Sequence, residues 1–249
     1  MKKLVTICAV VLVVLAVSSV VQASTVVDFT GVALRPANDG TSGYGTITEN
    51  VAQDGAAVST SFAGQKVYYG TDFFNGTLLS NMSYIQYTYK ISSANNPYIN
   101  LAITDGLGHY AVMAALNATK TGVIGDLTAE TVKTTFAGAC AVYESSDTSV
   151  LANGARANWA DVSGWSLLAI GGTRVLNSTE LQFGLPQARG PVTDGLAILW
   201  GDSLGNYMGN KDIWGVSVGA NGAEYVAGVP EPMTLALLGL GGLLLRRKK

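Results

Sequence analysis

Charge is scarce in this chain: only 13% of its 249 residues are Asp, Glu, Lys or Arg. Histidine occurs once and cysteine twice. A single histidine cannot build a multi-histidine metal site, and two cysteines cannot supply the disulfide framework of a small secreted scaffold. Basic residues are scarcer still away from the ends. Six of the 15 are Lys2, Lys3, Arg246, Arg247, Lys248 and Lys249, while Glu231 is the acidic residue of those ends. Residues 24–228 therefore carry nine basic against 16 acidic side chains, a net charge of −7. Affinity for nucleic acid is built on Lys and Arg neutralising phosphates, so no nucleic-acid partner is expected. The chain also lacks internal repeats, βαβ alternation and a linker rich in Pro or Ser, which leaves residues 24–228 as one exported domain.

Apolar residues, by contrast, make up 48% of the chain, and the two ends concentrate them. Met1-Lys2-Lys3 is a positive start, Leu4 to Val17 is almost wholly apolar, and Val21-Gln22-Ala23 places small residues before a cut between Ala23 and Ser24. That order predicts a signal peptide over 1–23, removed by signal peptidase. The apolar run is shorter than the roughly 20 residues that span a bilayer.

The carboxyl end has a different grammar. Val229-Pro230-Glu231-Pro232 precedes the apolar stretch Met233 to Leu245, and Arg246-Arg247-Lys248-Lys249 closes the chain. Two prolines around Glu231 forbid regular helix and hold the backbone extended, as a processing enzyme requires of its substrate. The 13 residues that follow are apolar on every face except at Thr234, unlike an amphipathic core helix. As a helix they would be about 20 Å long, so the bilayer must thin locally and the basic tail must snorkel. Four terminal cations would hold that end on the cytoplasmic side. Residues 229–249 closely resemble the PEP-CTERM sorting signal. The resemblance implies an exported protein of an exopolysaccharide-producing bacterium, cut at this segment by an exosortase, a membrane cysteine transpeptidase. It further implies transient membrane anchoring through a C-terminal hydrophobic helix, then release to the cell surface or extracellular matrix. It marks the chain as a substrate and says nothing of catalysis by it.

Between the ends, alternation dominates. Met82 to Lys90 interleaves aromatic and β-branched residues with polar ones, and Tyr98 to Thr104 puts Ile99, Leu101 and Ile103 on one face. Further strands are expected over 25–34, 66–73, 109–116, 139–143, 166–176, 180–184, 195–200 and 212–219. Asn221-Gly222 predicts a type I′ turn joining 213–220 to 223–227. One short helix is expected over Leu127 to Phe136, and residues 36–62, rich in Gly, Ala, Ser and Asp, read as loop-heavy. The expected fold is all-β, a jelly-roll-type antiparallel sandwich. Thr71-Asp72-Phe73, the Tyr84 strand, Pro97-Tyr98 and Lys211-Asp212-Ile213-Trp214 loosely resemble concanavalin-like jelly-roll modules, which implies a carbohydrate-related role.

The chemistry legible in the domain is sparse. His109, between Gly108 and Tyr110, reads as a surface or strand-edge residue. Gly201-Asp202-Ser203-Leu204-Gly205 matches the G-x-S-x-G of hydrolases, but no histidine follows Ser203 to act as its base, so it reads as a turn. A glycosidase needs two carboxylates about 5–10 Å apart, and Glu144, Glu180 and Glu224 are scattered in sequence. Asp202, Asn206, Asn210 and Asp212 offer oxygen ligands that suit a structural Ca²⁺, without EF-hand spacing. Trp159, Trp165, Trp200 and Trp214, with eleven tyrosines, read for the most part as sandwich core, with an exposed platform for sugar rings as the alternative. Cys140 is the sole cysteine left after the leader is cut, so no intramolecular disulfide is expected. These features predict a non-enzymatic exported protein with a glycan-binding or structural sandwich. The alternative is a secreted carbohydrate-active enzyme, a glycoside hydrolase or lyase, on the same scaffold.

Overall fold

The computed structural model describes residues 24–50, 54–90, 96–123, 125–168, 194–201 and 208–228. The expected leader, the sorting tail, the strand over 180–184, most of that over 166–176, and Glu180, Asp202, Ser203 and Asn206 lie outside the described residues.

In chain order the strands are β1 (Thr25–Val27), β2 (Thr30–Arg35), β3 (Thr46–Asn50), β4 (Gly55–Thr60), β5 (Lys66–Thr71), β6 (Met82–Lys90), β7 (Tyr98–Thr104) and β8 (Tyr110–Ala115). They continue as β9 (Thr119–Val123), β10 (Asp126–Thr135), β11 (Ala139–Ser145), β12 (Arg156–Asn158), β13 (Ser166–Leu167), β14 (Leu196–Trp200), β15 (Gly209–Ala220) and β16 (Ala223–Ala227). Two 3-10 turns, Leu79–Asn81 and Trp159–Val162, are the helical pieces among the described residues. Two sheets form a sandwich-like arrangement. The first runs β1-β16-β15-β6-β10-β9, with β4 beside β15 and β3 beside β4. The second runs β12-β11-β8-β7-β14-β5-β2, with β13 beside β7. β1 pairs parallel with β16, and the other pairings are antiparallel.

Period-two alternation explains the core. Ile85, Tyr87 and Tyr89 of β6, with Val132 of β10 and Ile213 of β15, face Ile99, Leu101 and Ile103 of β7 and Ile198 and Trp200 of β14 in one apolar cluster. The opposite parity of the second sheet is apolar as well: Tyr68, Ala197 and Leu199 form a separate buried cluster with Val32, Leu34 and Tyr98. Strands apolar on both faces read as near-continuous hydrophobic runs, and Leu196-Ala197-Ile198-Leu199-Trp200, buried throughout, is such a run. The expected hairpin is present. Ala220 pairs with Ala223, and Asn221 and Gly222 both take positive φ, 51° and 75°, the two left-handed positions of a type I′ turn.

One expectation fails. Leu127 to Phe136 forms no helix; β10 occupies that stretch, paired with β6 on one side and β9 on the other. Thr128, Thr131, Val132, Thr134 and Thr135 are β-branched and fit a pleated sheet better than a helix, and Leu127, which would have anchored the helix face, is 97% exposed. Residues 36–62 are not loop throughout, since they contain β3 and β4. Ala56, Val58 and Thr60 supply alternate buried positions there, a pattern that small side chains had obscured.

Candidate functional site

The first sheet turns apolar residues inward at its middle and polar ones inward toward the β9 margin. Register fixes this. Tyr89 pairs with Ile213 on one side and Glu130 on the other, and Val132 pairs with Lys120. Directly paired residues share a face. Because Ile213, Tyr89 and Val132 lie in the inter-sheet core, Glu130 and Lys120 face inward too. Lys211, two residues before Ile213, shares its side of β15.

These side chains meet in sequence across four strands. The Lys211 ammonium lies 5.5 Å from the Tyr89 ring centre and 5.2 Å from that of Trp200. It is 1% exposed, and its Nζ has no hydrogen-bond partner among the described residues. The Tyr89 hydroxyl touches both Glu130 Oε2 and Asn96 Oδ1. A phenol carries one proton, and the carboxylate is the stronger acceptor. Asn96 Oδ1 is the second acceptor around that one proton. Glu130 Oε2 also lies 3.5 Å from Lys120 Nζ at the half-open rim. Beside this seam the sheets separate around a cleft of about 90 Å³. Its floor is Tyr87, Val132 and Ile99, with Tyr98 and Pro97 from the second sheet's side and Asn96 and Lys120 as polar lips. The Tyr87 hydroxyl donates to the Pro97 carbonyl and pins that wall.

Burial, then the hydrogen bond and negative charge of Glu130, push the Tyr89 phenol far above its ordinary value. Burial likewise pushes the Lys211 ammonium down. The rim thus offers a carboxylate, an ammonium, an amide and a protonated phenol. This set can hold hydroxyl groups as both donor and acceptor.

The sequence-predicted residues are distributed otherwise. Trp159, Trp165 and Trp200 are buried in the core, so they make no exposed platform. Trp200 Nε1 donates to the Gly209 carbonyl. Trp214 is half-buried beside Thr88, on the outward side of the first sheet. Glu144 is fully buried in the second sheet, whereas Glu224 is exposed on β16 of the first and accepts from the Tyr84 hydroxyl; they do not form a pair across a cleft. Asn210 and Asp212 share the exposed side of β15, and the other two residues of the calcium expectation fall outside the described residues. Among the described residues no group of three or more His, Cys, Asp and Glu could hold a metal ion. His109 lies just ahead of β8, its Nδ1 2.5 Å from Asp105 and its Nε2 3.4 Å from Asp147. Cys140 is free and buried, its thiol pushed up to about 11 by desolvation.

Lys120, Glu130, Tyr89, Asn96 and Lys211 were all missed from sequence. Lys211 had a signal: it keeps step with Ile213, an apolar strand position. Glu130 keeps step with Val132 in the same way, but a helical reading of that stretch destroys the parity.

The fold places the chain among all-β proteins built as two packed sheets. No protein-family model matches it, and no curated protein or solved structure does either.

Proposed function

We propose that this is a non-enzymatic exported protein, sorted to the cell surface or an exopolysaccharide matrix, whose jelly-roll-type β-sandwich is a glycan-binding module. Three processing steps define its path. Signal peptidase removes 1–23, the apolar helix of 233–245 halts in the membrane above Arg246, Arg247, Lys248 and Lys249, and an exosortase cuts at Val229-Pro230-Glu231-Pro232. The order of these segments in the sequence supports the destination.

The single observation that supports binding is the cleft, apolar on its floor and polar on its lips. General acid–base catalysis needs groups whose pKa lies near the working pH. Tyr89 is driven the other way and stays protonated, while the carboxylate beside it is paired with Lys120.

Two measurements test the reading. Mass spectrometry of the native protein should show chains lacking Lys249, and Pro230→Ala with Pro232→Ala should leave the tail attached; normal processing of that variant rejects the sorting claim. The purified protein should bind a subset of a glycan array, and silence on every polysaccharide rejects the binding claim.

A further inference from the structure

We propose that the cleft between the β6-β10-β9 margin and the start of β7 holds one neutral pyranose unit of a glycan, edge first. Its neighbouring hydroxyls are shared between the Lys120 ammonium and the Asn96 amide of the lining and the Glu130 carboxylate that pairs with Lys120 beside it. This inference rests on the reading of the sandwich as a glycan binder; it adds the place and the class of sugar.

Size sets the first limit. A cavity of about 90 Å³ has the room of about three waters of bulk liquid, well below the roughly 300 Å³ at which drug-sized pockets begin. One ring edge fits, with the rest of the glycan outside. The way out is open: Lys120 and Glu130 keep 44% and 22% of their side chains exposed.

Surface chemistry sets the second. Val132, Ile99 and the Tyr87 ring give a floor for the C–H face of a sugar, an apolar body with wet edges. The lips carry the Lys120 ammonium, a donor, and the Asn96 amide, which has both a donor and an acceptor, with the Glu130 carboxylate 3.5 Å from Lys120 as the neighbouring acceptor. Two adjacent hydroxyls satisfy such a set, because each can accept from one group and donate to the next.

Charge sets the third. Glu130 and Lys120 cancel each other at the lips, so neither sign of ligand gains there. A uronate carboxylate would face Glu130 and, beyond it, a domain of net charge −7. An amino sugar would face Lys120. A neutral ring meets neither conflict. Tyr89 is a positioning residue: its phenol fixes the Glu130 carboxylate and lies behind the lips.

The test is a titration of the full chain, followed by saturation-transfer NMR, with four probes: the methyl glycosides of glucose, galactose and mannose, and methyl glucuronide. At least one neutral glycoside should bind with a Kd of about 1 mM, the level a ligand of about twelve non-hydrogen atoms reaches. The glucuronide should be at least about tenfold weaker. Ala118→Trp, at an exposed position on the cleft wall, should weaken the neutral probe by about tenfold or more, and Glu130→Gln by about tenfold. Should Ala118→Trp lower the melting temperature, Lys120→Met, also exposed, takes its place. Binding untouched by these substitutions, or a preference for the glucuronide, overturns the site. Polysaccharide binding on an array with none of the four probes bound also overturns the site and leaves the module a glycan binder. Silence of both probes and array overturns both.

Discussion

At its middle and at its β9 margin, the first sheet points the same parity of residues between the sheets, yet the two regions obey different rules. In the middle, Ile85, Val218 and Ile213 meet Leu101, Ile103 and Ile198 with almost no exposed area. Toward the margin the inward positions turn polar, from Lys211 on β15, buried under Trp200, through Tyr89 on β6 to Glu130 and Lys120 on β10 and β9 at the edge. An inward polar side chain costs stability unless it is partnered. Glu130 and Lys120 are partnered and half open to water. Among the described residues the Lys211 ammonium has no hydrogen-bond partner and lies over the rings of Tyr89 and Trp200. The contrast teaches that parity alone does not define a core: the second sheet must also reach across, and where it ends, inward residues become the wall of a cleft.

Substitutions at the border between these regions should have the largest effect. Trp200 is fully buried, packs against Lys211 and donates to the Gly209 carbonyl. Trp200→Ala leaves a cavity and an unanswered carbonyl, and should cost about 4 kcal/mol in a denaturant titration. A cost below about 1 kcal/mol would mean that the core does not extend this far.

Lys211 should respond in the opposite direction. Methionine keeps the stem and sheds the charge, so Lys211→Met should raise stability by about 1–2 kcal/mol at neutral pH. The pH dependence follows from burial, which depresses the folded pKa below the ordinary 10.5. Below the folded value both states carry the proton and the folded state bears the full desolvation cost. Between the folded value and the ordinary one, the unfolded chain binds more protons, so wild-type stability rises with pH. Lys211→Met should flatten that alkaline rise. A destabilised variant with the rise intact would show that cation–π contacts outweigh burial.

How much of this was legible beforehand divides along the same line. β6 and β7 could be read end to end, because Met82 to Lys90 and Tyr98 to Thr104 alternate strongly and tertiary pairing agrees with that alternation. The Asn221-Gly222 turn was legible for a stereochemical reason, as it needs two positive φ values. β10 was misread because Ala129, Glu130 and Lys133 are good helix formers that tertiary pairing overrides. The site depends on which strands lie next to one another. Tyr89 and Glu130 are 41 residues apart, and nothing local announces that β6 will pair with β10. The tryptophans were legible as core for the most part: large aromatic side chains serve a core as readily as a sugar platform, and three of the four are buried.

At the margin, Tyr89→Phe should cost about 1 kcal/mol. The ring stays against Lys211, while Glu130 and Asn96 lose the hydroxyl that joins them. The discriminating measurement pairs stability with binding. If the polar seam only braces the fold, sugar affinity should be unchanged; if it positions Glu130, affinity should fall along with stability.

The smallest effect is expected far from both regions, at the turn before β8, and it concerns pH. His109 lies between Asp105 and Asp147, which hold it by a hydrogen bond at one ring nitrogen and a longer contact at the other. The hydrogen bond that its Nδ1 donates to Asp105 leads in raising its pKa above the ordinary 6.5, helped by the charges of Asp105 and Asp147. A raised folded pKa means that the folded state holds the proton more tightly than the unfolded chain. The stabilisation is therefore complete below the ordinary value and disappears as pH rises through the folded value. The side chain is well hydrated at 38% exposure, so salt should weaken the effect further. Melting curves at about pH 6 and about pH 9 should show a modest loss for the wild type that His109→Gln abolishes. Because Lys211 pushes stability upward with pH and His109 downward, the His109→Gln, Lys211→Met double variant should show neither trend. Between about pH 6 and about pH 8, below the alkaline range in which the raised Cys140 thiol and Tyr89 phenol lose stability of their own, a slope that survives in the double variant would place the pH response in some third group and break the assignment of opposite signs to His109 and Lys211.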